Sequence, residues 1–144
     1  MMYPEPMIAP MRDELTRLGV QELRTAAEVA EALGNAKGTA LVVVNSVCGC
    51  SARNARPAVA TALQRDVKPE HLYTVFAGQD LEATKAARAF FTGYPPSSPS
   101  IALLKDGRIV TMLERHQIEG RTATDVANDL ASAFDRHCAA GAAS

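Results

Sequence analysis

The sequence predicts an α/β fold: a central mixed β-sheet flanked by helices, preceded by an N-terminal helical extension. Three observations carry that prediction. Ala40 to Val44 is an unbroken, β-branched apolar run, as expected of a strand buried on both faces in a parallel sheet. From there on, strand-like runs alternate with segments of helical spacing. Asp106-Gly107 then joins Ile101 to Leu104 with Arg108 to Leu113, a strong hairpin signal.

The chain of 144 residues suits one domain, divided into an extension with two helices (1–38), a core (39–138) and a frayed tail (139–144). Its composition is 47% apolar and 22% charged with a formal net charge of −1, which speaks against a nucleic-acid stripe or a membrane-surface helix. Met1 to Pro6 has neither the basic start nor the apolar core of a secretory signal, and no apolar run approaches a membrane span. Three cysteines do not make a disulfide scaffold. A cytoplasmic protein is expected, in which a thiol pair is catalytic or metal-binding rather than structural.

Taken in order, Pro10 suits a first helical residue, with Met11, Leu15 and Leu18 following at helical spacing up to Gly19. Val20 to Leu23 is a short edge strand. Thr25 and Glu28 form a capping box for a helix bearing Ala26, Val29, Ala30 and Leu33 on one face. After the central strand, a helix containing Pro57 should kink there, because proline removes a backbone bond. Leu72 to Ala77 is a strand, and Asp80 caps a helix through Phe90. The proline-rich stretch Tyr94 to Ser100 leads into the hairpin. Thr122 and Asp125 open the last helix, whose core face is Val126, Leu130 and Phe134.

Cys48 and Cys50 fall where the central strand ends and a helix begins, the usual ligand position of open α/β sheets. Unpaired N–H groups and the positive helix end favour a thiolate there. In extended chain their Cα atoms would lie roughly 6–7 Å apart, at the outer limit for a bridge, so a disulfide between them should be strained and easily reduced. Gly49 supplies the freedom to close the gap. The competing reading is two buried cysteines that only pack. The order strand, helix, strand, helix, hairpin, helix, with a cysteine pair at the first strand–helix turn, is that of the thioredoxin fold. In that order Pro99 stands directly before the third core strand, where a cis proline close to the cysteines is expected.

Several segments go beyond fold logic: Val42 to Cys50 with its Cys-Gly-Cys, Val75 to Asp80, Phe91-Thr-Gly93, Ser97-Ser-Pro-Ser100, Arg115-His116 and Ile118-Glu-Gly120. Together they closely resemble the bacilliredoxins, small thioredoxin-like bacterial proteins, from about Pro10 to Cys138. The resemblance implies that Cys48 attacks the mixed disulfide between a client protein and bacillithiol and carries that thiol away, with Cys50 as resolving or assisting thiol. It implies no bound cofactor. Bacillithiol, or an equivalent low-molecular-weight thiol, is the co-substrate, and S-thiolated client proteins are the partners. From the wider thioredoxin fold it implies that Pro99 is the cis proline and that the Ser98 backbone pairs with substrate. Unlike thioredoxins, the chain has no tryptophan before the cysteines, CxC in place of CxxC, and no carboxylate in Ala40 to Val44. An efficient general dithiol reductase is therefore disfavoured.

Other readings remain at this level. A general disulfide isomerase would use an easily reduced bridge. Cys138, following His137, would complete a metal site with the pair, but the paired CxxC spacing of zinc modules is missing, and no metal is expected. An adaptor without catalysis is a further alternative. Cys138 otherwise reads as a free thiol at a helix end, His71 and His116 as loop and surface histidines. Arg53 and Arg56 either raise the potential at Cys48 or solvate a helix face, and the second reading is the expectation.

Overall fold

The computed structural model describes residues 2–35 and 37–139. Most of the tail expected at 139–144 therefore lies outside the described residues. Five strands form one sheet: β1 (Gln21–Glu22), β2 (Thr39–Asn45), β3 (His71–Phe76), β4 (Ser100–Lys105) and β5 (Arg108–Leu113). Their spatial order is β1-β3-β2-β4-β5, with β1, β3 and β2 parallel and β4 and β5 antiparallel to their neighbours. β2 is central and buried at every position. Its pleat explains the unbroken apolar run: Leu41 and Val43 enter one hydrophobic layer, Ala40, Val42 and Val44 the other.

The helices are α1 (Glu5–Thr16), α2 (Ala26–Gly34), α3 (Arg56–Ala62), α4 (Leu81–Arg88), the single turn α5 (Arg115–Ile118) and α6 (Ala123–His137). Leu15 of α1, Val59 of α3 and Phe134 of α6 cover one face of the sheet, and Val29 of α2 and Ala87 of α4 cover the other. Thr25 and Glu28 make both bonds of the capping box, and Thr122 accepts from the Asp125 N–H. Asp106 and Gly107 have φ of 51° and 80°, the two positive values that a two-residue hairpin turn demands.

Four local expectations change. The first helix begins at Glu5, with Pro6 in its first turn and Pro10 inside it. The α4 helix ends at Arg88, and Asp80 precedes it without a side-chain cap, because its carboxylate is taken by Arg12. Only Gln21–Glu22 of the short edge segment pairs as a strand. Ahead of Pro57 the chain forms a π-helical turn, Ser51–Ala55, in which the Arg56 N–H donates to Ser51 O. Pro57 has no N–H for the carbonyl four residues back, so the ladder resets through this wider turn and α3 starts with proline in its first positions.

The topology gathers four distant segments at one end of the sheet. Parallel β2 and β3 both end there, leading to Ser46–Cys50 and Ala77–Asp80. Antiparallel β4 starts there after Ser98-Pro99, and β5 returns there to Arg115.

Candidate active site

Cys48 lies just outside the first helical turn and Cys50 within it. The Cys48 carbonyl accepts from the N–H groups of Ser51 and Ala52 at 2.9 and 3.3 Å, and its own N–H donates to Ser46 Oγ at 3.2 Å. This bend brings the two sulfurs into direct contact, 2.8 Å apart, closing the gap that extended chain would leave. Both are free thiols, Cys48 half-buried and Cys50 buried. Gly49 does this without a left-handed backbone. A Cβ there would come within 2.9 Å of the Arg53 guanidinium, the flexible end of an exposed side chain that can move aside.

The environment separates the two thiols. The Cys48 pKa is lowered, foremost by the hydrogen bond from the Cys50 thiol, against the opposing effect of burial. The N–H groups of Cys50 and Ser51 and the positive charge of Arg115 add to it. The Cys50 pKa is raised, first by burial and then by its bond to the Cys48 sulfur. One sulfur gives up its proton more readily than an ordinary thiol, while its neighbour holds a proton and donates it. Alkylation by iodoacetamide at mildly acidic to neutral pH should therefore modify Cys48 before Cys50 or Cys138. Its pH midpoint should fall below that of an ordinary thiol. Cys50→Ala removes the main stabilising bond and should raise that midpoint more than Arg115→Gln does. Equal labelling of Cys48 and Cys50 would contradict the asymmetry.

The Ser98–Pro99 bond is cis, and Pro99 is buried at the entry to β4, where Ser100 pairs with Val44. Ser98 and Cys48 line the same open groove of about 460 Å³, together with Tyr3, Gly78, Arg88 and Arg115. The Ser98 carbonyl accepts from Arg115 at 3.2 Å. Arg115 also pairs with Glu119 at 2.6 Å. Arg115 lies sixty-seven positions after Cys48, and nothing in its own sequence neighbourhood points to its charge acting on that thiol.

Beneath the turn lies a buried network in which the expectation for Arg56 fails. Arg56 does not solvate the helix; it is 4% exposed. Its guanidinium donates to Asn45 Oδ1, Ser46 O and Ser51 Oγ at 2.9, 3.0 and 3.2 Å, with Glu14 of α1 3.1 Å away. Asn45 Oδ1 also accepts from Ser46 N–H and Ser51 Oγ, while its amide donates to Met11 O. The side chain that props the cysteine turn is thus cationic, where a thioredoxin-like proton shuttle would need a carboxylate. The widened turn before Pro57 accompanies this inward rotation, which helical spacing alone does not reveal.

Cys138 does not join the pair. It packs against the α6 layer with Thr39, at the opposite end of β2, and burial raises its pKa. Among the described residues no group of three or more His, Cys, Asp or Glu converges as a metal site. His116 is exposed at the surface, as expected.

The family model described as Disulphide isomerase matches residues 3–138. A bacilliredoxin of Koribacter versatilis is 54% identical over 98% of this chain and 97% of its own length. One of Symbiobacterium thermophilum is 60% identical over 89% and 91%. The chain belongs to the bacilliredoxin family. As a bacilliredoxin it is a thiol–disulfide oxidoreductase, which agrees with two contacting thiols of opposite acidity beside an open groove. Its fold is thioredoxin-like. Thioredoxins of Malassezia sympodialis and Fasciola hepatica superpose with TM-scores of 0.58 and 0.55, at 15% and 20% identity, covering 83% and 82% of the bacilliredoxin and 91% and 99% of their own chains.

Proposed function

We propose that this oxidoreductase removes bacillithiol, or an equivalent low-molecular-weight thiol, from mixed disulfides on client proteins. The observation that carries the reading is the asymmetry of the pair: a half-exposed Cys48 of lowered pKa against a buried Cys50 of raised pKa. In the first exchange the Cys48 thiolate attacks the low-molecular-weight sulfur. A bond from Cys48 to that sulfur forms as the mixed disulfide breaks, and the client sulfur leaves as a thiolate and takes a proton. Cys48 is thereby oxidised to the mixed disulfide and the client cysteine reduced to its thiol, with no outside oxidant or reductant. Cys50, in contact with Cys48, then loses its proton and attacks the Cys48 sulfur, releasing the small thiol and leaving a Cys48–Cys50 disulfide. Two electrons from further low-molecular-weight thiol return the protein to its starting state. Ser98 lines the groove beside Cys48, and on this reading its backbone, set by the cis bond to Pro99, pairs with the client. A reducing compartment, the cytoplasm, is the setting this chemistry calls for.

A second reading, general disulfide isomerase or reductase, has the description of the family model behind it. One experiment separates the two. Turnover on a bacillithiol-modified protein is compared with insulin reduction, and the Cys50→Ser variant is trapped and weighed. The de-thiolation reading expects fast thiol removal, poor insulin reduction, and a Cys50→Ser adduct carrying one small thiol on Cys48. Fast insulin reduction without transfer of bacillithiol would replace it with the general reductase, and no adduct at all would leave a non-catalytic adaptor.

A further inference from the structure

The groove beside Cys48 has a sign. Its charged lining residues are Arg88 and Arg115, and no carboxylate lines it among the described residues. Arg115 is partly spent on Glu119 and on the Ser98 carbonyl, yet its charge still reaches Cys48. Arg88 is the more telling group. It is half-buried at the end of α4, and one terminal nitrogen donates to Ser97 O at 3.2 Å. Its Nε is buried without a hydrogen-bond partner, and burial lowers its pKa with no carboxylate to offset this. A half-buried guanidinium with no carboxylate partner is costly, and an anion arriving in the groove against its terminal nitrogens relieves that cost. The planar fork of an arginine matches a carboxylate.

We propose that Arg88 and Arg115 form an anion subsite that receives a carboxylate of the low-molecular-weight thiol as its sulfur bonds to Cys48. The inference rests on the de-thiolation reading and adds a substrate class to it: thiols bearing a carboxylate are favoured over neutral or cationic ones. An acidic side chain next to the client cysteine has the same chemistry, so the test must separate the two sources.

The first arm needs no mixed disulfide. Cys48 is alkylated with iodoacetate, an anion, and with iodoacetamide, its neutral counterpart, and the rate ratio is referred to that of a short single-cysteine peptide. Taking the ratio cancels any change in thiolate fraction. The expected preference for the anion is about tenfold, the scale of one hydrogen bond to a charged group. It should collapse in Arg88→Gln and weaken in Arg115→Gln, while Arg88→Lys keeps part of it. Thermal unfolding of each variant guards against misfolding. A ratio equal to the peptide's, or one unchanged in Arg88→Gln, overturns the subsite.

The second arm measures transfer to Cys50→Ser from one carrier protein modified with 3-mercaptopropionate, 2-mercaptoethanol or cysteamine, with and without a glutamate beside the carrier cysteine. The rate should follow the charge of the small thiol in that order and ignore the glutamate. Dependence on the glutamate alone overturns the assignment to the small thiol. The two readings fail separately: an anion preference in alkylation without any transfer defeats de-thiolation and leaves the subsite standing, whereas transfer blind to charge defeats the subsite.

Discussion

Replacing Cys48 by serine should abolish de-thiolation while leaving the fold intact. A serine hydroxyl stays protonated at neutral pH, and its oxygen forms no exchangeable bond with a thiol sulfur, so neither the surroundings that favour the thiolate nor the contact with residue 50 can rescue it. Cys50 cannot take over, because it is buried and its pKa is raised. Serine is itself a good residue at the start of a helix, so the turn should survive. The measurement is release of small thiol from an S-thiolated protein, with the mass of the recovered variant. Retention of a substantial fraction of wild-type turnover, or an adduct on Cys50, would overturn the assignment of Cys48 as nucleophile.

The largest effect on stability is expected at Arg12. This side chain is 4% exposed and makes ion pairs with Glu5, Glu22 and Asp80 at 2.7, 2.8 and 2.7 Å, with the Phe76 ring 5.4 Å below it. Burial lowers the Arg12 pKa, but the bonds that Arg12 donates to Asp80, Glu5 and Glu22 more than reverse this. Arg12→Met keeps much of the volume and strands those carboxylates, two of them largely covered, at a cost of about 3–5 kcal/mol. Thermal unfolding should then fall by roughly 10–20 °C at neutral pH. The gap should narrow in acid. The Glu5 pKa is held below 4.5 chiefly by its bond to Arg12, so the stability it contributes is complete above that range and lost as the pH falls through its lowered value. A variant as stable as the wild type would show that the cluster is only a surface arrangement.

Features encoded by neighbours in sequence were legible from the chain alone. The β2 run, the Thr25 and Thr122 caps, the Asp106-Gly107 turn and the cysteines at a strand–helix junction each depend on residues within a few positions of one another. Pro99 was placed by the resemblance to the thioredoxin fold, and the pairing of Ser100 with Val44 sets it beside the end of β2. What escaped depends on pairing across the sheet. Arg12 meets Asp80 sixty-eight positions away, which diverts the expected cap of α4. Arg115 reaches Cys48 only because β5 runs back to the end where β2 stops. Arg56 sits in a segment with helical spacing, and nothing in its neighbours says that the turn before Pro57 widens and directs the guanidinium inward. The α5 turn did leave a signal: Glu114 and Gln117 form a capping box with glutamate in the place usually held by serine or threonine.

The position of Tyr3 has a practical consequence. Its backbone is clasped by Gln79, with Tyr3 N–H donating to Oε1 at 2.8 Å and Nε2 donating to the Tyr3 carbonyl at 2.9 Å. Its ring covers Gly78, and the side chain forms one wall of the groove that opens on Cys48. An affinity tag or fluorescent fusion ahead of this residue would emerge beside Cys48 and compete for the same space. Rates measured on such a fusion describe the tag as well as the enzyme, and a histidine-rich tag would add its own charge to a groove lined by Arg88 and Arg115. Comparisons of substrates are cleanest on a chain from which any such leader has been cut.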